Sequence, residues 1–330
     1  MKIAAFALVF GLGSTLGLAQ DRPQAPSGGP PTFRSQSALV ALNVTVLDRA
    51  AKFVRGLQSG DFVVYEDGVK QDVRFCESTR VPLDLIVLID TSASMRDKLD
   101  GVREAAAGLL KTLRPEDRGA VVTFANSVTV LQPLTPDPAL LQAALHNLAA
   151  TGNTSLNNAV YVSLKAFGAW AQHDGDVRRQ AIVLLSDGAD TSSLVSFNDV
   201  IELARRMGVS IYTVSLQSPF AALPSRVADR DVEEADSAMR DLAKETGAQS
   251  FFPPASALKQ VYAAIASELA SQYSIGYVPA NGQPDGTFRR VRVQVITRPD
   301  VQSRTRVGYT AAAVAATPLP AVRTIGGGER

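Results

Sequence analysis

The chain has 330 residues, with 33 basic against 32 acidic side chains and a formal net charge of +1, so no bulk electrostatic attraction draws it to nucleic acid or to an anionic membrane. At 46 % hydrophobic residues it is too apolar to stay disordered and long enough to bury a sizeable core. One cysteine and two histidines exclude an internal disulfide framework, a CxxC metal or redox site and a histidine-rich metal centre, which leaves hydroxyls and carboxylates as the available chemistry.

In chain order, residues 1–19 read as a signal peptide: Lys2, the apolar run Ile3–Leu12, then small residues at Gly17 and Ala19, with cleavage after Ala19. The run is shorter than the ~20 residues a spanning helix needs, and no later segment is long and apolar enough to span. The expectation is an exported protein, periplasmic or extracellular, without a transmembrane segment in the mature chain. A lone Cys76 suits such a compartment. Residues 20–35, with the Pro- and Gly-rich Asp21–Pro31, read as a flexible linker.

Residues 36–79 form an N-terminal β segment. Val40, Leu42, Val44 and Val46 alternate with Leu39, Ala41, Asn43 and Thr45, and strands over Phe62–Tyr65 and Val73–Phe75 are joined by a turn at Glu66–Gly68. From about residue 80 the pattern changes. Leu85–Ile89 is a continuous apolar run, as in a strand buried on both faces of a parallel sheet. Further strands are expected over Gly119–Phe124, Val128–Leu131, Ala181–Leu185, Val209–Leu216 and Gln249–Phe252. Helices are expected over Lys98–Leu113, Pro138–Leu148, Leu156–Ala171 and Phe197–Met207, from near Val232, and over Ala255–Ser271. This alternation over residues 80–271 predicts an α/β fold with a doubly wound, mostly parallel, Rossmann-like sheet. Residues 272–310 return to strands, at Tyr273–Val278, Phe288–Thr297 and Arg304–Tyr309, and are expected to pair with the N-terminal segment in a β-sandwich-like module. Residues 311–330 read as a disordered tail.

Three loops of the α/β part carry the chemistry: Asp90-Thr91-Ser92-Ala93-Ser94 after the first buried strand, Thr151-Gly152-Asn153-Thr154-Ser155 before a helix, and Ser186-Asp187-Gly188 after another strand. In a doubly wound sheet such loops share one edge, where ligands bind. Asp90, Ser92 and Ser94 can aim three oxygens at one point, Thr154 adds a hydroxyl and Asp187 a second carboxylate. This is an all-oxygen shell of the kind Mg²⁺ or Mn²⁺ prefers, with Ca²⁺ a further candidate. With two of five ligands charged, the ion keeps positive charge and room for an outside oxygen, which an Asp or Glu of a partner protein would supply. The alternative that Asp90 and the serines only cap the next helix leaves the Thr154 and Asp187 loops unexplained.

LIVLIDTSASM, TGNTSLNNAV and IVLLSDGAD resemble the three segments of the metal-ion-dependent adhesion site of von Willebrand factor type A domains, over about Val81–Ser271. The resemblance implies that Asp90, Ser92, Ser94 and Thr154 contact the metal directly or nearly so, and Asp187 directly or through water. The flanks GLQSGDFVVYEDGVKQDVRFCES and YSIGYVPANGQPDGTFRRVRVQVITRPDV resemble exported bacterial proteins, frequent in Acidobacteria, that are described only as von Willebrand factor A-related. The implied function is a non-catalytic, metal-dependent protein-binding module for adhesion or scaffolding.

Other residues carry less. His146 reads as a surface or boundary residue, His173 as part of a solvated loop with Asp174, and Cys76 as a small buried hydrophobe. Ser186 lacks a histidine to activate it and a Gly-x-Ser-x-Gly elbow. The strand Arg289–Arg298 alternates as a half-solvated strand does, so nucleic acid is not expected. The acidic Asp229–Asp236 reads as an exposed loop and helix start. The competing class is a metal-dependent hydrolase in which the same ion activates water. Asp190 is the one nearby surplus carboxylate to serve as its base.

Overall fold

The structure, a computed structural model, describes residues 39–78, 81–171, 178–216 and 228–311. The expected signal peptide and linker, the tail from residue 312 and the His173 loop lie outside the described residues. Strand β5 (Leu83–Asp90) is buried at all eight positions. Its apolar run has no polar face to turn toward water, so it can only sit centrally. Leu83, Leu85, Val87 and Ile89 point into one apolar layer, Ile86 and Leu88 into the other. Each fully buried aliphatic side chain here contributes about 1.5–3 kcal/mol.

Around β5 lies a six-stranded sheet in the order β10-β9-β8-β5-β6-β7, with β6 (Arg118–Phe124), β7 (Val128–Thr135), β8 (Arg179–Ser186), β9 (Ser210–Ser215) and β10 (Ser250–Phe251). All neighbours pair in parallel except β7, an antiparallel edge on β6. Helices α1 (Leu99–Leu110), α2 (Pro138–His146) and α6 (Leu258–Leu269) cover one face. Helices α3 (Leu156–Ala171), α4 (Phe197–Met207) and α5 (Ala228–Glu245) cover the other. The α/β, doubly wound architecture expected from the alternation is therefore present.

The flanking strands build two further antiparallel sheets. One has the order β13-β1-β11-β4, with β1 (Val40–Leu47), β4 (Val73–Ser78), β11 (Tyr273–Tyr277) and β13 (Gln302–Arg304). The other has the order β14-β12-β2-β3, with β2 (Phe62–Glu66), β3 (Val69–Gln71), β12 (Phe288–Val295) and β14 (Gly308–Thr310). Val40, Leu42, Val44 and Val46 meet Phe62, Val64, Val291 and Val293 in one shared apolar core, so the two sheets form a sandwich.

Three details differ from the sequence reading. The turn after Glu66 joins β2 to β3, not to β4: Asp67 and Gly68 both have positive φ, as a two-residue type I′ hairpin requires, and β4 crosses to the other sheet. The strand expected over Arg304–Tyr309 is two strands in different sheets, because Arg304 pairs with Thr45 whereas Tyr309 pairs with Arg289. Helix α5 begins at Ala228 rather than near Val232, so the acidic stretch lies within the helix. Met239 and Leu242 of its later turns are buried, whereas the sequence of its first turns is mostly charged, which hides its start from hydrophobic periodicity.

The sandwich packs on the edge of the six-stranded sheet where the parallel strands begin. Asn43 donates to Ser210 Oγ at the start of β9 (3.2 Å). Gly247, with φ of +75°, ends the turn after α5 so close to the sandwich that a Cβ there would lie 2.3 Å from Arg306 N. Glu268 of α6, 2 % exposed, accepts hydrogen bonds from Thr45 Oγ1 (3.1 Å) and Tyr212 OH (2.8 Å) and pairs with Arg304. Glu268→Ala leaves two hydroxyls without that acceptor and should cost about 2–4 kcal/mol, read as a lower urea midpoint at unchanged slope. A loss under about 0.5 kcal/mol would show that this junction contributes nothing beyond packing.

Candidate metal centre

The opposite sheet edge, where the parallel strands end, is free of the sandwich. Strand β5 ends there in Asp90 and β8 ends beside it in Ser186, with β6 and β8 on opposite sides of β5, so strand order reverses at this point. Three loops are tied together by main-chain bonds. Thr151 N donates to Thr91 O (2.7 Å) and Ala93 N to Gly152 O (3.0 Å), which joins the first loop to the second. Thr191 N donates to Thr154 O (2.9 Å), and Thr154 N to Thr191 Oγ1 (3.1 Å), which joins the second to the third. Gly152 adopts φ of +77° against the Asn126 side chain, whose Oδ1 accepts from Asn153 N (2.7 Å).

The side chains converge on the same edge. Asp90 is fully buried; its Oδ1 accepts from Ser92 N (2.7 Å) and its Oδ2 from Ser186 Oγ (2.5 Å). Ser92 Oγ lies 3.1 Å from Ser94 Oγ, and Ser94 Oγ donates to Asp187 Oδ1 (2.7 Å). Asp187 Oδ2 pairs with Lys98 Nζ. Of the five expected residues, the structure links Asp90, Ser92, Ser94 and Asp187 through side-chain contacts or one amide. Thr154 is held by its main chain, and its hydroxyl has no hydrogen-bond partner among the described residues.

Two carboxylates on β5 show contrasting treatment. Asp84, at the beginning of the strand, is buried and paired with Arg118 (2.7 Å) and Arg178 (2.7 Å). Asp90, at the end, receives an amide and a hydroxyl but no Lys, Arg or His among the described residues. Burial raises the Asp90 carboxyl above the ordinary carboxylate range, and the hydrogen bonds from Ser186 and Ser92 only partly offset this. Ser92 is 2 % exposed, and with the Ser94 proton committed to Asp187 the lone pairs of Ser92 Oγ accept no donor among the described residues. Uncompensated anion and unfilled hydroxyl lone pairs fit a small hard cation. Among the described residues no group of three or more His, Cys, Asp or Glu side chains is placed to hold a metal, so any ion here would rest largely on hydroxyls.

Several residues at this edge escaped the sequence reading. By sequence Ser186 has a place in the third loop but no role, and the structure shows its hydroxyl donating to Asp90 Oδ2. Lys98 read only as the first residue of a helix, which in fact starts at Leu99 after a 3₁₀ turn over Ala93–Lys98. Asp190, considered as a base, is committed elsewhere: Oδ1 accepts from Ser192 N (3.2 Å) and Ser193 N (2.9 Å), and Oδ2 from Asn157 N (3.0 Å) at the start of α3. The local signal for Asp190 is its spacing before Ser192 and Ser193, typical of an Asx turn. Beside this loop opens a cavity of about 630 Å³, with Phe197, Met239 and Leu242 in its wall. Elsewhere, His146 is exposed, and Cys76 is half-buried with its thiol pushed up to about 11 by burial.

The raised Asp90 carboxyl has a sign that can be tested. Its contribution to stability is full below the ordinary carboxylate range and is lost as pH rises through the raised value. In EDTA, Asp90→Asn should therefore raise the melting temperature at pH 7 and leave it nearly unchanged at pH 3. A lower melting temperature at pH 7 would mean that the buried charge is compensated within the fold.

Comparison with known proteins finds similarity centred on this region. Residues 85–189 match the family model of the von Willebrand factor type A domain. Similar sequences include the UPF0353 protein of Mycobacterium marinum, 27 % identical over 250 residues, which cover 71 % of this chain and 72 % of the relative. The UPF0353 protein of Mycolicibacterium vanbaalenii is 26 % identical over 245 residues, 70 % of each chain. Among solved structures, BatB from Bacteroides thetaiotaomicron is 16 % identical with a TM-score of 0.45, covering 57 % of this chain and 97 % of that one. The vWF domain of the type V pili tip protein Mfa5 from Porphyromonas gingivalis is 14 % identical with a TM-score of 0.46, covering 57 % and 95 %. The family-model match lies within the α/β body of this chain, from inside β5 to the loop after β8.

Proposed function

We propose that the chain is a metal-dependent protein-binding module that captures an acidic side chain of a partner through Mg²⁺, with Mn²⁺ or Ca²⁺ as alternatives, and performs no chemistry. The observation that carries this reading is Asp90, fully buried at the sheet edge without a cationic partner among the described residues, beside the unfilled lone pairs of Ser92 Oγ. Asp90, Ser92, Ser94 and Thr154 would hold the ion, and Asp187 would act directly or through water. When bound, the ion supplies a concentrated positive charge at an edge that the sandwich leaves accessible. The protein's own part is positional: main-chain bonds between three loops hold the oxygens in place before any ligand arrives, which lowers the ordering cost of binding.

The cavity beside Gly188–Ser193 would receive the side chain next to the partner's acid, with Phe197 and Met239 as an apolar wall. Export through the leader at residues 1–19 belongs to the same proposal and would place the module in the periplasm or outside the cell. A hydrolase reading is disfavoured by Asp190. Its three amide bonds hold both oxygens, so it is poorly placed to take a proton from water.

Isothermal titration of the full chain should show one Mg²⁺ site, weakened at least tenfold in Asp90→Ala with the circular dichroism spectrum retained. An affinity pull-down from the native cell envelope should recover a partner in Mg²⁺ that is lost in EDTA and in Asp90→Ala. Equal recovery in all three conditions would rule out the metal bridge. Metal-dependent turnover of a phosphoester or peptide that disappears in Asp90→Ala would favour the hydrolase instead.

A further inference from the structure

Lys98 belongs to the same segment as the Asp90–Ser94 loop, and the 3₁₀ turn over Ala93–Lys98 brings its ammonium back to the site. There it pairs with Asp187 Oδ2, while Ser94 Oγ donates to Asp187 Oδ1 at 2.7 Å. The Asp187 side chain is 1 % exposed and that of Lys98 17 %, so water screens this pair far less than a surface pair. Both oxygens of Asp187 are thus held by donors from one short stretch of chain. Asp190, the next acidic group along, is bound to main-chain amides instead.

Electroneutrality gives this arrangement a consequence. Two carboxylates and one ammonium leave the site with a single net negative charge. A dication held there keeps one positive charge, which one carboxylate from outside cancels. Without the ammonium, the two carboxylates alone would cancel the dication, and an outside carboxylate would bring an excess of negative charge. We propose that Lys98 is a built-in counter-cation that keeps the affinity for bare metal low and makes metal retention depend on the partner's carboxylate. This rests on the metal-site reading above. It adds that metal and acidic ligand bind cooperatively, and that one residue sets the coupling. By linkage, the factor by which a carboxylate strengthens metal binding is the factor by which metal strengthens carboxylate binding.

Titration of Mg²⁺ into the full chain, in chloride and in acetate buffers of equal ionic strength, tests this with acetate as the probe carboxylate. For the unaltered protein, the apparent Mg²⁺ affinity should be several-fold higher in acetate than in chloride. For Lys98→Met, affinity in chloride should rise at least tenfold and the gain from acetate should shrink or vanish. Melting should show the matching pattern: Lys98→Met lowers the melting temperature in EDTA, where Asp187 loses its counter-ion, and increases the rise caused by Mg²⁺. Lys98→Gln carries the same expectations should Lys98→Met fail to fold, and Lys98→Arg should keep the low affinity. If the unaltered protein binds Mg²⁺ and the neutral variants bind it equally or more weakly, the counter-cation proposal is overturned while the metal site stands. If neither the unaltered protein nor the variants bind Mg²⁺ or Mn²⁺, both fall together.

Discussion

A carboxylate at the end of a strand buried on both faces must be compensated, and the way Asp90 is compensated governs the whole sheet edge. Strand β5 is central because all eight of its side chains are buried, and that position carries Asp90 out of water. At the beginning of the same strand Asp84 is satisfied by two arginines, so the fold can neutralise a buried acid where the charge serves structure. At the end it supplies one amide and one hydroxyl and leaves the charge standing. The remaining oxygens of Ser92, Ser94 and Asp187 are arranged around that deficit. Stability given up at such a point is typical of a binding edge.

The sandwich lies at the other end of the strands from this edge. It is assembled from both ends of the described chain and meets the sheet where the parallel strands begin, through Asn43–Ser210 and the buried acceptor Glu268. The loops that follow β5 and β8 leave at the far end of those strands. They are tied to one another by bonds such as Thr151–Thr91 and Thr191–Thr154. The Asp90 edge and the sandwich junction are therefore physically separate. Mutations in the Glu268 junction should act on stability, and those in the Asp90 loop on ligand binding.

What could be read from residues alone followed from how local each signal is. The apolar run of β5 and the helix–strand alternation after it are local patterns, and the doubly wound sheet follows from them. The Asp90, Ser92 and Ser94 positions are legible because alternating oxygens after such a strand fall at its exit. Sheet membership in the sandwich was harder. Arg304 and Tyr309 lie in one apparently continuous segment, yet their partners Thr45 and Arg289 lie far apart in the chain, and pairing is decided by those non-local contacts. Helix α5 opens on the acidic text Asp229–Asp236, so its first turns show no apolar period in the sequence. Lys98 is the plainest case. Lysine before a helix is unremarkable in text, and only the 3₁₀ turn in front of Leu99 shows that its ammonium folds back onto Asp187.

The central claim is that the oxygens gathered around Asp90 hold a divalent cation. Crystals of the full chain soaked in Mn²⁺ and measured at an anomalous wavelength test it most directly. The account predicts one strong anomalous peak at coordination distance from Ser92 Oγ and Ser94 Oγ, beside Asp90, that is absent from crystals of Asp90→Ala. A peak elsewhere, or no peak at this edge at saturating Mn²⁺, would contradict it.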